Sequence, residues 1–467
     1  MSRSGQVPTA FRFRGVLTAV QGGSYHQHPF SVPNGTGAIH IQFQYSPYRA
    51  GRHHNLLTLG LFDPAGFRGE AHRCSASQEV TVNQTRATPG FIPGPISPGR
   101  WMAQITAHAV LRGAEPCAYT LTIEVLPAVE PVPSANRHPP PLHIARSRPG
   151  WYRGELHTHT NHSDGSWSVA ELVIQAQRLG LDFIAITDHN TTSAWGEVDN
   201  TASNGLLVIP GMELTTFYGH ALALGVDRWV DWRVGWKGWS IANAAVATRA
   251  AGGLFVIAHP NRIGAPLCTG CRWEYDELDM RLVDGIEVWS GPWSREEDNN
   301  PANLRLWERI LMQGCHPTAL AGCDAHSPND WETEVPFTYV YAKALSTSAL
   351  LQGIRQGRVV LSSGPWLCLR ATADAGENQA GVGETLVTSA EEVRLQASWK
   401  GVPGEARLRW RQRGLLLSEQ PVSDCGQADL AVKAVPDSRF WVELRAANGS
   451  LLALTNPVVV ERKVRTI

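Results

Sequence analysis

The segment 155–165 concentrates side chains that bind metal ions, with three histidines and two carboxylates in eleven residues. If residues 155–158 form a strand, alternate side chains share one face, so that His157 and His159 reach the same cation. Asp164 returns toward that face from a turn that its serine and glycine neighbours favour. A surface turn that binds nothing collects the same residue types, so the segment predicts a metal site only together with the rest of the chain.

Further histidines and carboxylates stand at the ends of five later strand-like runs. In α/β barrels the residues that react lie where strands end and loops begin, so these side chains are expected to converge. A lone histidine at a strand end is more often a core or capping residue, but the coincidence at five strand ends favours a metal site. The predicted metal ligands are His157, His159, Asp164, His189, Glu213, His220, His259, Asp324 and His326.

The mixture of imidazoles and carboxylates, without clustered thiolates, favours divalent Mn, Fe or Zn. Eight or nine ligands exceed the needs of one ion, so we expect two or three ions, ~3.5 to 4 Å apart, that share a bridging carboxylate and a bridging hydroxide. Glu213 is the expected bridging carboxylate, because it can use both oxygens at once. Asp324 is expected to bind metal and guide a proton, and His326 completes the predicted catalytic group.

Arg262 and Glu287 are the candidates for substrate contact. Arg262 lies three residues past His259 and is placed to meet an anion such as phosphate, although a solvated loop arginine is the simpler alternative. Glu287 lies on an apolar strand, where it would contact substrate or support a metal ligand, and it is equally compatible with a salt-bridged carboxylate at the rim. The tryptophans between 229 and 239 predict either an apolar pocket wall or an insertion that packs on the barrel.

The organisation of the chain predicts three folded units and one linker. Residues 1–126 show short alternating apolar runs between Gly/Pro-rich turns, which predict an N-terminal β-sandwich. Residues 127–150 are dense in proline, which favours a stiff linker. Residues 358–467 return to alternating runs and predict a C-terminal β-sandwich. The metal site is therefore expected in the unit 151–357.

The unit 151–357 alternates apolar runs of four to six residues with helical periods. This alternation is typical of an α/β unit with a parallel sheet or barrel. Strands are predicted at 182–187, 206–209, 221–224, 254–258, 285–288 and 318–321, and helices from the Ser168 capping box to Gly180, at 240–251, at 302–313 and at 347–356.

Composition is ordinary for a globular protein. The 41 Lys plus Arg and 42 Asp plus Glu give a net charge of −1, so no overall field attracts nucleic acid or an anionic membrane. The N-terminus lacks an apolar h-region and the chain has no stretch of ~18 apolar residues, which predicts a soluble cytoplasmic chain.

Reduced thiols are expected for the eight dispersed cysteines. Cys268-Thr-Gly-Cys271 is expected to be a loop coincidence or a local disulfide rather than half a zinc site or a redox pair.

Several short motifs carry a resemblance to a known family. They are Glu-Leu-His157-Thr-His159-Thr with Ser163-Asp164-Gly165, Thr187-Asp188-His189-Asn190, Pro210-Gly211-Met-Glu213, Gly219-His220, Ala258-His259-Pro260 and Cys323-Asp324-Ala-His326. As a set they resemble the PHP (polymerase and histidinol phosphatase) superfamily over residues 151–365. The Trp-Tyr-Arg-Gly lead-in, Gly285-Ile-Glu-Val-Trp289 and Ser362-Ser-Gly-Pro365 resemble its CehA/McbA-type metallohydrolase branch.

The resemblance implies a distorted (β/α)7 barrel with a di- or trinuclear metal site at the C-terminal ends of its strands. The expected fold class is therefore α/β, with the barrel flanked by the two β-sandwiches. Beyond the nine ligands, Asp188 is expected to orient a ligand imidazole, and His162 to be a turn residue. The chain departs from the branch pattern at Glu155, where Asp is more familiar, and at Ser290, where Asn is more familiar.

The leading functional prediction is a metal-dependent hydrolase that cleaves phosphoester bonds in a small phosphorylated substrate. The alternative is a hydrolase of carboxylic esters, amides or carbamates on the same metal site, which the small number of lysines and a tryptophan-lined mouth would suit. A second alternative is a non-catalytic scaffold that uses metal to hold the barrel for binding. No nucleic-acid or membrane partner is expected.

Overall fold

The computed structural model describes residues 9–112, 115–128, 144–198, 205–264, 268–332, 334–373, 376 and 378–462. Across these residues the protein is mixed α/β and rich in strands. The larger part of the predicted linker, residues 129–143, lies outside the described residues. Among the residues described, no helix combines the length and the apolar character needed to cross a bilayer.

The N-terminal part consists of two four-stranded antiparallel sheets that pack their apolar faces on one core. Alternation along the strands buries every second side chain, as Ile39, Ile41 and Phe43 show on one strand. The strands are β1 (Thr9–Leu17), β2 (Ser24–Val32), β3 (Thr36–Ser46), β4 (Arg49–Ala50), β5 (His53–His54), β6 (Leu56–Asp63), β7 (Gly66–Ala71), β8 (Ser77–Asn83), β9 (Gly99–Ala109) and β10 (Cys117–Pro127).

The middle part alternates strands and helices. Its strands are β11 (Ile144–Arg146), β12 (Gly150–Glu155), β13 (Phe183–Ile186), β14 (Leu207–Thr215), β15 (His220–Leu224), β16 (Leu254–Ile257), β17 (Gly285–Ser290), β18 (Thr318–Gly322), β19 (Phe337–Ala342), β20 (Leu345–Ser346) and β21 (Val359–Ser362). Its helices are α1 (Val169–Arg178), α2 (Trp195–Val198), α3 (Ile241–Ala250), α4 (Asn299–Met312) and α5 (Thr347–Arg355). All six strands and all four helices predicted here are present, with bounds shifted by up to three residues except at β14, which ends six residues later than predicted. The extended segment predicted at 155–158 is not a regular strand, since β12 ends at Glu155. The elements α2, β11, β19 and β20 were not predicted.

The direction of the middle strands brings their functional ends to one edge of the sheet. β12, β13 and β14 pair in parallel, as do β16, β17 and β18, while β15 runs antiparallel to both of its neighbours. Six strands therefore end at the same edge, and β15 begins there. The expected all-parallel order is interrupted at β15, because the connection 216–219 is too short for a parallel crossover.

The C-terminal part continues the middle sheet. Its strands are β22 (Trp366–Ala373), β23 (Asn378–Gly381), β24 (Thr385–Thr388), β25 (Glu392–Lys400), β26 (Ala406–Gln412), β27 (Leu415–Val422), β28 (Cys425–Lys433), β29 (Ser438–Ala446), β30 (Leu451–Thr455) and β31 (Val458–Arg462). β21 pairs with β30, and the same sheet continues through β29, β26 and β27. β22, β23, β25 and β28 form a separate four-stranded sheet packed on a shared core.

One buried side chain, Asn456, ties the C-terminal part to the edge of β18. Its Oδ1 accepts from Ala319 N at 2.8 Å, and its Nδ2 donates to Ala319 O at 2.9 Å and to Val359 O at 3.1 Å. Asn456 is 1% exposed, and its bonds satisfy Ala319 on the edge of β18, while the hydroxyl of Thr338 bonds both backbone groups of Ala321.

The N-terminal part also packs directly on the middle part through aromatic side chains. The rings of Phe67 and Trp229 stack with centroids 4.9 Å apart, and those of Phe62 and Trp232 with centroids 6.5 Å apart. These tryptophans therefore fill the contact between the two parts, which agrees with the packing role predicted for them rather than with a pocket wall.

Gly154 on β12 offers a test of how tightly the first two strands of the site are packed. A Cβ at Gly154 would lie 2.3 Å from the Phe183 carbonyl oxygen, whereas a Cβ at Gly150 on the same strand would meet nothing within 4 Å. We expect Gly154→Ala to cost about 2 to 3 kcal/mol of stability, or roughly 5 to 10 °C in thermal midpoint, because backbone must move. Gly150→Ala is the matched control in thermal melts, and equal midpoints for the two variants would contradict the argument.

Candidate metal centre

The segment with the first histidine pair directly follows β12 and is hydrogen-bonded to the segment around Ala325. His159 N donates to Ala325 O at 2.8 Å, and Ala325 N donates to His157 O at 3.1 Å. Two chain segments that are far apart in sequence are thereby held side by side. The side chains of His157 and His159 consequently lie next to that of Asp324, with Nε2 to Oδ1 distances of 3.3 and 2.9 Å.

Glu213 occupies the middle of the site and is fully buried. Its carboxylate lies within 3.3 Å of a nitrogen of five imidazoles, which come from five different positions on the edge of the sheet. The distances are 3.3 Å to His157, 3.3 Å to His159 and 2.8 Å to His189 from Oε2, and 2.9 Å to His220 and 3.2 Å to His259 from Oε1. One carboxylate therefore connects all five imidazoles.

All nine predicted ligands lie in this region. Eight of them form three overlapping groups whose ligand atoms lie within 4.8 Å of one another: His159, Asp164, His189 and His326; His157, His159, Glu213 and Asp324; and His189, Glu213 and His220. His259 joins the site through its contact with Glu213. Shared members connect the groups, an arrangement that suits neighbouring ions with ligands in common.

Several buried polar atoms at the centre lack hydrogen-bond partners in the described part of the chain, as expected of atoms that bind cations. His157 Nε2, both ring nitrogens of His159, and one oxygen each of Asp164, Glu213 and Asp324 are buried without a hydrogen-bond partner among the described residues. Unpartnered buried polar atoms are costly, so natural proteins keep few of them. Nitrogen and oxygen donors crowded in this way match the ligand set of a divalent transition metal.

The nitrogens that face away from the centre are held by protein acceptors. His220 Nε2 donates to Thr269 O at 3.2 Å, and His259 Nδ1 donates to Cys271 O at 3.2 Å. His326 Nδ1 donates to Asp324 O at 2.7 Å. With the proton on the outward nitrogen, each ring in its neutral form directs the lone pair of its inward nitrogen at the centre.

The electrostatics of the site favour ionised carboxylates and at least one neutral imidazole. Burial, followed by the charges of His326 and His189, lowers the pKa of His159 to about 4. Burial opposes the charge of His326, but Asp324 and Asp164 together outweigh it and raise the pKa of His326 to about 10. Burial also opposes the charge of Glu213, yet the surrounding imidazoles hold its pKa well below the ordinary value. A cation that binds here would displace protons from imidazoles.

Three residues at the site have left-handed backbone conformations, which residues other than glycine rarely adopt. They are Asn190, His259 and Asp324, with φ of 53°, 26° and 51°. Each follows a strand directly or after a short extension, where the chain turns sharply into a loop. Such conformations cost roughly 1 to 3 kcal/mol each and cluster at functional sites.

The centre opens into a cavity of about 220 Å³ that the N-terminal part helps to line. His54, Leu56, His72, Cys74 and Ala109 from the N-terminal part face Arg262 and the metal-site residues across it. Sequence reasoning missed this contribution. The spacing of Glu70 and His72 places two possible metal ligands on one face of a strand-like run. These residues are so far in sequence from the histidine motifs that nothing indicated a shared site.

The structure changes the expected role of Glu287. It is 1% exposed and lies behind His157, 3.4 Å from its Nδ1, while its Oε2 accepts from His259 N at 2.8 Å. Substrate contact does not fit this position, because two metal-site residues separate the carboxylate from the cavity. Glu287 instead orients the His157 ring and fixes the backbone at His259.

Asp188 and His162, which neighbour the predicted ligands in sequence, each have identifiable hydrogen-bond partners. Asp188 accepts from Thr160 N at 2.8 Å and from the hydroxyls of Thr160 and Ser163 at 2.7 and 2.6 Å. It therefore fixes the turn before Asp164, and the imidazole-orienting role expected of it is wrong. His162 contacts Ser193 Oγ at 2.7 Å and Glu197 at 3.0 Å, outside the metal-site groups.

Glu155, the departure from the branch pattern, lies beneath the site. Its Oε1 accepts from the backbone nitrogens of Leu156, His157 and Cys323, each at 3.0 Å. Burial raises the pKa of Glu155 to about 7. This side chain holds the first and last strand ends of the site together. Ser290, the other departure, is buried on β17, and its backbone nitrogen donates to the side chain of Asn300 at 2.8 Å.

Arg262 lies at the cavity and contacts the site through Asp324. Its guanidinium donates to Asp324 Oδ2 and lies 3.7 Å from Glu296. About a quarter of its side chain is exposed. An anion in the cavity would meet this guanidinium beside the metal-site carboxylate.

The Cys268 and Cys271 pair forms a disulfide in the loop that holds two of the ligand imidazoles. The expectation of reduced thiols is wrong for this pair and the local-disulfide alternative is right, because a Cα separation of 5.5 Å lets the sulfurs meet. The other six cysteines are unpaired.

A family model matches the first part of the middle segment. Residues 155–251 match the sequence model of the PHP domain. The resemblance to the PHP superfamily is thereby confirmed, whereas the CehA/McbA branch stays a prediction.

The relatives match limited parts of the chain. An uncharacterized protein of Methanocaldococcus jannaschii is 26% identical over 150 residues, which cover 30% of this chain and 81% of that protein. The 5'-3' exoribonuclease Rnm of Escherichia coli is 35% identical over 80 residues, 16% of this chain and 27% of the relative.

Among solved structures, a two-domain protein containing a predicted PHP-like metal-dependent phosphoesterase from Bacteroides vulgatus is 15% identical with a TM-score of 0.39. That likeness covers 70% of this chain and 100% of the other.

Proposed function

We propose that the protein is a metal-dependent hydrolase that cleaves phosphoester bonds with two or three divalent ions, Mn, Fe or Zn, at the cluster around Glu213. The observation that carries the proposal is the contact of one buried carboxylate with five imidazoles. His157, His159, Asp164, His189, Glu213, His220, His259, Asp324 and His326 would hold the ions.

When bound, such ions supply Lewis acidity and lower the pKa of water to near neutrality. The chain contributes the remaining functions. Asp324 faces the cavity beside Arg262, and a carboxylate there can accept the proton of the attacking water or guide it to the leaving group. His326, the most exposed of the imidazoles at 33%, is the second group placed to exchange a proton with the cavity.

Arg262 supports a phosphoester over a neutral ester. It is the single arginine or lysine among the described residues that line the cavity, and a guanidinium there matches a phosphate oxygen pair. The alternative, an ester, amide or carbamate substrate, is favoured by the apolar side chains of Leu56 and Ala109 on the opposite wall. No tryptophan contributes to the described lining, so the aromatic argument for a carbamate loses its basis.

The architecture that we propose around the site is a distorted (β/α)7 barrel at 151–357, with β-sandwich units at 1–126 and 358–467 and a linker at 127–150. The common direction of six strands and the two sheets of the N-terminal part support this division. The pairing of β21 with β30 means that the barrel and the C-terminal unit share hydrogen bonds at their boundary.

The proposed function is tested by metal analysis and a substrate panel on one preparation. We expect at least two equivalents of divalent metal per chain, loss of activity on chelation and recovery with Mn or Zn. The panel is p-nitrophenyl phosphate, bis-p-nitrophenyl phosphate and a naphthyl carbamate; the partial likeness to an exoribonuclease adds an oligoribonucleotide. Fewer than two metals together with no turnover on any of the four would leave the non-catalytic scaffold as the better description.

Replacement of Arg262 tests the charge of the substrate. For a phosphorylated substrate we expect Arg262→Gln to lower kcat/KM about 10- to 150-fold, because a charge-assisted hydrogen bond contributes about 1.5 to 3 kcal/mol. Turnover of the neutral carbamate should change far less. Arg249→Gln, which also removes an arginine paired with a buried aspartate, is the matched control. Equal losses on charged and neutral substrates would contradict anion binding by Arg262.

A further inference from the structure

A second group of metal-binding side chains lies outside the nine-ligand site, in the N-terminal part. Glu70 on β7, His72 directly after β7, and His108 on β9 place ligand atoms within 4.8 Å of one another. Their side chains are buried, with exposed fractions of 0%, 6% and 3% for the whole residues. The two strands are brought together by β6, which pairs with both of them.

Each of the three side chains keeps a buried atom without a partner. Glu70 Oε2, His72 Nδ1 and His108 Nδ1 accept or donate no hydrogen bond among the described residues. The other contacts run through Thr58, whose hydroxyl donates to Glu70 Oε1 at 2.9 Å and lies 3.2 Å from His108 Nε2. Since the single hydroxyl proton goes to Glu70, His108 Nε2 donates to Thr58, and the lone pair on His108 Nδ1 stays free.

The charge of Glu70 also lacks a strong counter-ion. In the described part of the chain no arginine or lysine lies within ion-pair distance of it, and its closest basic partner is His108 Nε2 at 3.9 Å. An isolated carboxylate in an interior costs several kcal/mol unless a cation or hydrogen bonds compensate it. A bound cation would supply that compensation and would use the free lone pairs of both imidazoles.

We propose that Glu70, His72 and His108 bind a divalent transition-metal ion, such as zinc, that is separate from the ions around Glu213. Two imidazoles and one carboxylate are a ligand set that zinc uses with a fourth position open. For ligand atoms no more than 4.8 Å apart, one point lies within about 2.8 Å of all three, so shifts of under about 1 Å give bonds of about 2.0 to 2.2 Å.

The position of this ion links it to the main site. The ring of His72 lies against that of His189, with centroids 4.5 Å apart, and also against that of His108 at 4.8 Å. Glu70 Oε1 lies 3.5 Å from the side-chain nitrogen of Asn190. His72 lines the same cavity as the main-site ligands. The ion would therefore lock the N-terminal wall of the cavity against the strand end that carries His189.

The test is a metal count on the full chain, loaded with zinc and dialysed. We expect His108→Gln and Glu70→Gln to bind about one equivalent less than the wild-type chain. His40→Gln, which removes a half-buried histidine paired with an exposed glutamate on a neighbouring strand, should leave the count unchanged. An unchanged count in both His108→Gln and Glu70→Gln would overturn the proposal and leave a hydrogen-bond network around Thr58.

A second measurement on the wild-type chain covers the case in which these variants do not fold. Anomalous X-ray scattering at the zinc edge is expected to show a peak among Glu70, His72 and His108; peaks confined to the Glu213 cluster would overturn the proposal. The outcome does not depend on the proposed hydrolysis. A catalytically silent chain with zinc at this position would refute the hydrolase and retain the ion.

Discussion

The Glu213→Gln variant is expected to lose most of its bound metal at the main site and about 1,000-fold in turnover. Five imidazoles share the Glu213 carboxylate, so the amide removes the charge and one of the two acceptor oxygens that connect them. A loss of about 4 kcal/mol in charge stabilisation corresponds to this factor. Metal content by elemental analysis and initial rates on the most active panel substrate measure both effects.

Glu443→Gln is the control for the loss of a buried negative charge. Glu443 is 2% exposed and pairs with Arg445 at 2.8 Å. It lies on β29 in the C-terminal part and is far from the metal-site residues in the sequence. Its amide variant should lose stability but keep metal content and the rate per folded molecule. If Glu213→Gln retained both metal and turnover, Glu213 could not be the bridging ligand.

The Asp324→Asn variant is expected to fold normally and to lose about 100- to 1,000-fold in kcat. The backbone at Asp324 has a φ of 51°, a conformation that asparagine adopts more readily than most residues. The substitution therefore removes the charge without the strain that an alanine would add. Because the carboxylate contacts His157, His159 and Arg262, its loss weakens both metal binding and proton transfer.

Asp437→Asn is a close control, since Asp437 has a φ of 52° and lies in the C-terminal part. It should leave kcat and metal content unchanged. A pH–rate profile separates the two roles of Asp324: a metal-saturated Asp324→Asn enzyme that is slow at every pH has lost a proton-transfer group. Full recovery at high metal concentration would restrict Asp324 to a ligand role.

The clustering of the nine candidate ligands could be predicted because most of them belong to short motifs beside apolar runs. His189, His259 and Asp324 follow strands whose burial on both faces leaves a continuous apolar signal in the sequence. His157 follows β12, which is only partly buried, and was found from the spacing of the histidines themselves. Because those strands run in the same direction, their C-terminal ends lie at the same edge of the sheet. His220 was found for a different reason, since it opens β15, which runs the other way and begins at the same edge.

The contributions that could not be predicted depend on packing between distant parts. His72 directly follows β7 and His108 lies on β9, and the alternating pattern of these strands does not say which of their ends faces the cavity. The sequence left substrate contact and support of a metal ligand both open for Glu287, because alternation along β17 places its side chain on one face but does not say what covers that face. In the structure His157 and the backbone of His259 cover it.

The bonds of Asn456 to Ala319 have a consequence for synthesis on the ribosome. These residues are 137 positions apart, and at about 5 to 20 residues per second translation needs roughly 7 to 27 seconds to reach the second after the first. During that interval the edge of β18, which leads directly into Asp324, is paired at Ala321 by the hydroxyl of Thr338 but stays unpaired by Asn456 at Ala319. This part of the candidate metal centre is therefore secured late, and ions that bind earlier would hold a strand whose edge the polypeptide cannot yet close at Ala319.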